Sequence, residues 1–266
     1  MTRDAEPPLL RADRGGVATL TLNRPERFNL LSEAMLAALA EEFDRLATED
    51  GLRCVVLRAS GRAFCAGHDL REMRARPEEA YHRDLFARCG RVMLAIRALP
   101  VPVIAAVQGI AAAAGCQLVA ACDLAVAGAS ARFAVSSIDV GLFCSTPAVA
   151  LTRAVPMKAA MDMLVTGRFI DAAEALRIGL VSRMVPDGEL EGAVADLTDV
   201  IAAKSPAAVR LGKRLVHEQH AMGLAEAYRH AGDAMARNMG MPDAAEGIDA
   251  FLTRSAARSA ARKETR

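Results

Sequence analysis

Pro102–Asp123, PVIAAVQGIAAAAGCQLVAACD, is the stretch around which the rest of the chain is arranged. After the proline, Val103 to Val107 form an apolar run of strand length. Gln108-Gly109 breaks it. The small residues Ala111 to Gly115 then lead into an apolar helix from about Cys116 to Cys122. Alanine and glycine at a helix start leave backbone N–H groups uncovered, and the helix dipole favours negative charge there. A carbonyl that develops into an oxyanion can be held at such a place. Close packing of a helix on a strand also calls for Ala and Gly, so this stretch alone leaves both readings open.

At 266 residues, 53% hydrophobic and 24% charged, the chain has the size and composition of a globular protein with a large core. A formal net charge of +1 excludes a general polyanion binder, and the absence of Trp removes the best stacking platform for nucleic acid. The six cysteines form no CxxC pair and sit mostly in apolar runs. That predicts reduced, buried thiols in a cytosolic protein, with no zinc site and no disulfide framework. The first residues, MTRDAEPPLLRADRGG, lack the apolar core of a signal peptide. No stretch of membrane-spanning length is free of charge.

Outward from the central stretch, strands alternate with helices. Leu9–Arg14 and Val17–Leu22 alternate around Gly15-Gly16 as a hairpin, and Ser32 caps a helix over Ala34–Leu46. Cys54–Leu57 is a buried strand, Leu70–Met73 a short helix and Glu78–Leu99 a long one. Asp123–Ala127 and Arg132–Ala134 are strands, Ser136–Phe143 is a loop, and everything beyond Glu189 is helical. The pattern predicts an α/β core over residues 1–190 and a helical region over 191–266. A second small-residue turn, Ala66-Gly67-His68, precedes the helix at Leu70. Two such turns can aim backbone N–H groups at one oxygen, with His68 and Ala114 as the donors.

Asn23-Arg24-Pro25, Phe64-Cys65-Ala66-Gly67-His68-Asp69-Leu70, Pro102 to Gly109, Gly115-Cys116-Gln117-Leu118, Cys122-Asp123 and Leu164 to Gly167 occur in the order seen in one family. The chain resembles the enoyl-CoA hydratase/isomerase (crotonase) superfamily from about Leu9 to Phe251. The resemblance implies an α/β fold with a spiral of β-β-α turns and a C-terminal helical trimerisation region. It implies an acyl-CoA ligand, no separate cofactor, and a homotrimer or dimer of trimers. It also implies that the thioester oxygen lies between the N–H groups of His68 and Ala114, where the family usually has glycine at the Ala114 position.

The departures narrow the activity. Hydratases of this superfamily carry one glutamate at the position of Gln117 and another at that of Ser137. An amide cannot serve as a carboxylate base, and a lone serine hydroxyl is a poor one. Conventional hydration is therefore not expected. Asp139 resembles a proton-transfer aspartate of dienoyl-CoA isomerases, although it also suits a loop brace. His68 sits in a Gly-His-Asp motif shared with methylmalonyl-CoA decarboxylases, although its N–H alone can account for it. Cys144 and Ser145 have no base evident in the sequence. For the ligand's coenzyme A part, the resemblance points to Ala66, Gly67, Asp69 and Leu70, to Arg27 near the phosphates, and to Phe251 near the adenine. Arg27 is equally a solvated charge and Phe251 equally a packing residue. The chemistry left is enolate-type, isomerisation or decarboxylation, or else binding of acyl-CoA without turnover.

Overall fold

The structure, a computed structural model, describes residues 6–264, with side chains described through residue 254. It opens with the predicted hairpin, β1 (Leu9–Arg14) antiparallel to β2 (Val17–Leu22). The Ser32 hydroxyl accepts from the Met35 N–H at 3.2 Å and caps α1 (Glu33–Ala47). Met35, Leu36, Leu39 and Phe43 are buried along one side of that helix, as helical spacing requires. Next come β3 (Cys54–Ala59), β4 (Ala63–Cys65), α2 (Leu70–Ala75) and α3 (Glu79–Ala98), then β5 (Val103–Val107), β6 (Ile110–Ala112) and α4 (Ala114–Ala121). β7 (Leu124–Gly128) and β8 (Arg132–Ala134) lead through a 3-10 turn at Ser136–Val140 into α5 (Ser145–Ala154) and α6 (Met157–Thr166). β9 (Ile170–Asp171), α7 (Ala172–Arg177), β10 (Arg183–Val185) and α8 (Leu190–Ala202) follow, and α9 (Pro206–Gln219), α10 (Leu224–Met239) and α11 (Pro242–Glu264) end the chain.

The strands form two sheets. The larger has the order β1-β2-β3-β5-β7-β10 and is parallel except for β1; the smaller has the order β4-β6-β8-β9. Each of the pairs β3-β4, β5-β6 and β7-β8 places one strand in the large sheet and the next in the small one. Helices follow each pair. This is the predicted β-β-α spiral. The strands β4 and β6 are not apparent from sequence, because three residues give no period-two pattern. Ser136–Val140, expected as loop, coils into its 3-10 turn.

Every residue of β5 is buried, so the strand is covered on both faces. Val103, Ala105 and Val107 join the main core with Leu36, Phe64 and Leu118. Ile104 and Ala106, with Cys54, Val56 and Val126, pack against Leu190, Val194 and Leu197 of α8. That contact corrects the predicted division at residue 190. One compact unit runs to Ala202 and a second begins at Ala203, because α8 closes the outer face of the large sheet.

No disulfide joins the cysteines among the described residues. Burial pushes the thiols of Cys65, Cys89 and Cys116 up to about 12 and that of Cys54 to about 11, so they are chemically quiet at neutral pH. No helix among the described residues is long and apolar enough to cross a membrane.

Candidate active site

β4, β6 and β8 are parallel, so all three leave the small sheet at the same edge. The segments that follow them, residues 66–68, 113–114 and 136–140, are thereby gathered where open α/β sheets bind ligands. The first two touch. Gly67 has φ +103°, and a Cβ added there would stand 3.0 Å from the Ala113 Cβ, 3.3 Å from the Ala112 carbonyl oxygen and 3.5 Å from the Ala114 nitrogen. Close approach and left-handed backbone both call for glycine at this position.

Ala114 opens α4, so its N–H lies in the turn that has no intrahelical acceptor. No side chain caps the helix and its first turn carries no acid, which leaves the positive end of the dipole unopposed. Neighbouring backbone groups are engaged: the Ala113 N–H donates to the Ala134 carbonyl at 2.9 Å, the Ala113 carbonyl accepts from Gln117, and the Gly67 carbonyl accepts from Leu31 at 2.8 Å. Among the described residues, no acceptor takes the N–H of His68 or of Ala114.

The sequence draws attention to Ala114 as a departure from glycine, but the unusual backbone belongs to Ala113, at φ 48° and ψ −117°. An L-residue there stores about 1–3 kcal/mol of strain. Ala113→Gly is expected to relieve it, less the extra chain entropy of glycine, for a net stabilisation of about 1 kcal/mol. A calorimetric Tm a few degrees above the native one, by about 2–4 °C, is the expected reading; an unchanged or lower Tm would mean the turn is relaxed.

His68 is held by its Nδ1, 3.2 Å from the Leu31 carbonyl oxygen, and by an edge-on contact with Phe86 at 5.7 Å between centroids. Its Nε2 is buried without a partner among the described residues. Burial pushes its pKa below the ordinary histidine value, and the bond to Leu31 opposes that only in part. Asp69 is buried and caps α2, its Oδ1 accepting from Arg71 N–H at 2.9 Å and Glu72 N–H at 3.4 Å. Arg27, half exposed, stands 3.8 Å from the other Asp69 oxygen. Around these turns opens a pocket of about 640 Å³, within the range of small-molecule sites. Leu30, Leu70, Met73, Phe86, Leu142 and Phe143 contribute apolar wall, and Arg27, Ala66, His68, Asp69 and Ala114 line it as well. It is a slot with two free amide donors at the sheet edge and a guanidinium on its wall.

A sequence model of the family described as enoyl-CoA hydratase/isomerase matches residues 12–258. The chain belongs to the enoyl-CoA hydratase/isomerase family. Enoyl-CoA hydratase domain-containing protein 3 of Rattus norvegicus, a mitochondrial protein, is 44% identical over 250 residues, which is 94% of this chain and 83% of the rat protein. Among solved structures, an enoyl-CoA hydratase of Mycobacterium smegmatis superposes with a TM-score of 0.92 at 58% identity, covering 94% of this chain and 97% of its own. Human enoyl-CoA hydratase domain-containing protein 3 superposes with a TM-score of 0.90 at 43% identity, covering 93% and 98%. The mitochondrial name of the rat relative lends no support to the cytosolic placement expected from the thiols.

Within this crotonase fold, the remaining candidates separate. Ser137 lines the pocket. Gln117 does not: its side chain is buried behind the wall, with Oε1 accepting from the Cys89 thiol at 3.9 Å. Asp139 does not line the pocket either. In the 3-10 turn, Ser137 and Val140 lie three residues apart on the pocket side, while the Asp139 carboxylate lies over Gly167 at the end of α6. A Cβ on Gly167 would be 2.9 Å from one of its oxygens. In this position Asp139 sits as a brace between turn and helix, the alternative that its place in the loop also suggested. Cys144 and Ser145 line the pocket at the start of α5. Phe251 is exposed on α11, in the second compact unit.

Asn29 is the residue sequence reasoning misses. It is fully buried at φ 53°, accepts from the Arg24 N–H at 2.8 Å, and donates to the carbonyls of Ser60 at 2.9 Å and Ala63 at 2.8 Å. It ties the turn that carries Arg27, Phe28 and Leu30 to the start of β4. The available signal was asparagine's tolerance of the left-handed region just after a proline turn.

Proposed function

We propose that this chain binds an acyl-CoA thioester with the carbonyl oxygen between the N–H groups of His68 and Ala114, and that it promotes enolate-type chemistry without the two hydratase glutamates. The observation that carries this reading is the pair of unengaged amides on two touching turns beside an apolar pocket. Amides already aimed at a developing oxyanion stabilise it without reorganisation. The absence of a carboxylate at positions 117 and 137 argues against adding water. In a decarboxylation, the bond from the α-carbon to the carboxylate breaks, its electron pair enters the thioester as an enolate, and a proton returns to the α-carbon; no strong base is required. In an isomerisation, a proton must leave and return; among the residues that line the pocket, Glu26 and Asp69 carry carboxylates and His68 an imidazole.

The bracing position of Asp139 favours a second reading, retention of acyl-CoA with little turnover. A panel of enoyl-, dienoyl- and malonyl-type CoA thioesters separates the two. Turnover of a dienoyl or malonyl member supports the first, and binding without any turnover supports the second. Crotonyl-CoA hydration at ordinary hydratase rates would sink both.

Arg27 is the cation proposed for the coenzyme A phosphates, since a guanidinium pairs with phosphate through two parallel bonds. Arg27→Gln is expected to weaken acyl-CoA binding about tenfold at low salt and less at high salt, because the contact is solvent-facing. Equal affinity at both ionic strengths would remove Arg27 from the site. Assembly as a trimer or dimer of trimers, with Phe251 reaching the adenine, belongs to the same proposal; sedimentation of the purified chain as a monomer would remove that part.

A further inference from the structure

We propose that the groove between α9 and α10 is a second binding site, one that takes a small phosphate monoester. The two helices are joined through residues 220–223 and run back along each other. Near that join, His230 Nε2 stands 2.8 Å from Glu218 Oε2. A carboxylate only accepts, so Nε2 carries the proton and donates. This contact fixes the register of the pair. Leu211, Arg214, Leu215 and Glu218 then share one face of α9, and His230, Ala234 and Arg237 form the facing stripe of α10. Ala234 is buried, and its small side chain leaves a cavity of about 250 Å³ between the helices.

The cavity sets two guanidiniums against one carboxylate, and that carboxylate is engaged by His230. Arg214 Nε is 4.0 Å from the other Glu218 oxygen, beyond hydrogen-bond length. Among the described residues no carboxylate pairs with Arg237, not even Asp233 one turn earlier on α10. Elsewhere the chain holds arginines tightly, as Asp162 and Glu174 hold Arg168. Two guanidinium forks on one concave surface suit a group with several anionic oxygens, which they meet through parallel N–H bonds. A phosphate monoester carries about two negative charges at neutral pH, enough to balance both arginines, whereas a carboxylate balances one. The rest of the lining, Leu211, Leu215 and Ala234, is apolar and suits an ester substituent of a few carbons. The cavity is smaller than the usual range of small-molecule sites, about 300–1,000 Å³, so the occupant is small.

The test is calorimetric titration of the purified full chain with butyl phosphate, inorganic phosphate and butyrate, at low salt and about pH 8, where both phosphates are dianions. Butyl phosphate is expected to bind about tenfold tighter than butyrate, through its extra charge. It is expected to bind about threefold or more tighter than inorganic phosphate, through its apolar tail. Arg214→Gln and Arg237→Gln are each expected to weaken butyl phosphate about tenfold with the Tm unchanged, since both residues are exposed. Native affinity in both variants would overturn the proposal by placing the ion elsewhere, such as at Arg27. Inorganic phosphate binding as tightly as butyl phosphate would overturn the monoester and assign the cavity to the free ion. Butyrate binding as tightly would assign it to a carboxylate. No saturable binding of any probe would overturn the site altogether and leave the two arginines as solvated charges. Neither arginine lines the pocket beside the small-residue turns, so the outcome is independent of the thioester reading.

Discussion

Gly115→Ala is expected to lower the Tm by roughly 10 °C and to abolish measurable acyl-CoA binding. A Cβ on Gly115 would stand 2.0 Å from the Cys65 carbonyl oxygen, 2.7 Å from its carbon and 2.9 Å from the Cys65 Cβ. Both sides of this contact are backbone, so no side chain can rotate away, and α4 and β4 must separate. Overpacking of that kind costs about 3 kcal/mol, and a domain of this size loses roughly 2–4 °C per kcal/mol. The functional consequence follows from position. Gly115 comes directly after Ala114, and Cys65 lies just before the Ala66-Gly67-His68 turn, so the displacement pulls the two donors apart. Calorimetry and thioester titration of G115A check both halves. A Tm within a degree or so of the native one, or native affinity, would show that the helix start tolerates the shift.

Asn29→Ala is expected to cost about 4 kcal/mol. It strands the Ser60 and Ala63 carbonyls and the Arg24 amide, at about 1–3 kcal/mol for each buried group left unpaired. It also puts alanine at φ 53°, worth about 1 kcal/mol more. Asn29→Gly removes the same hydrogen bonds but fits the left-handed backbone, so it should recover about 1 kcal/mol of the loss. Because the turn carries Arg27, Phe28 and Leu30 to the pocket, acyl-CoA affinity should drop with stability in both variants. Chemical denaturation of the pair separates the backbone contribution from the hydrogen bonds. Equal stability of N29A and the native chain would overturn the assignment of Asn29 as the tie.

Long periodic elements were legible residue by residue. The β1–β2 hairpin, the Ser32 cap and β5 fall where alternation, capping chemistry and an apolar run put them, because each signal is carried by neighbours along the chain. The short strands β4 and β6 were not, since three residues of Ala, Phe, Ile and Cys carry no period. The division of the chain was misplaced for a related reason: α8 reads as one more amphipathic helix, and only the outer face of β5 shows what it covers.

The order of small-residue turns, the family, and the presence of Gln117 and Ser137 were determined by sequence alone, since they are facts of residue identity. The opening stretch combines close packing with an unengaged amide: Ala114 offers its N–H because Gly115 lets α4 rest on Cys65. What each candidate side chain faces was decided only by tertiary structure. The parallel alignment of β4, β6 and β8 brought together turns far apart in the chain. The coil of one 3-10 turn sent Ser137 to the pocket and Asp139 to Gly167. The imidazole of His68 turned its Nδ1 to the Leu31 carbonyl and buried its Nε2. Direction and neighbourhood depend on where separate strands end in space, and no local pattern encodes that.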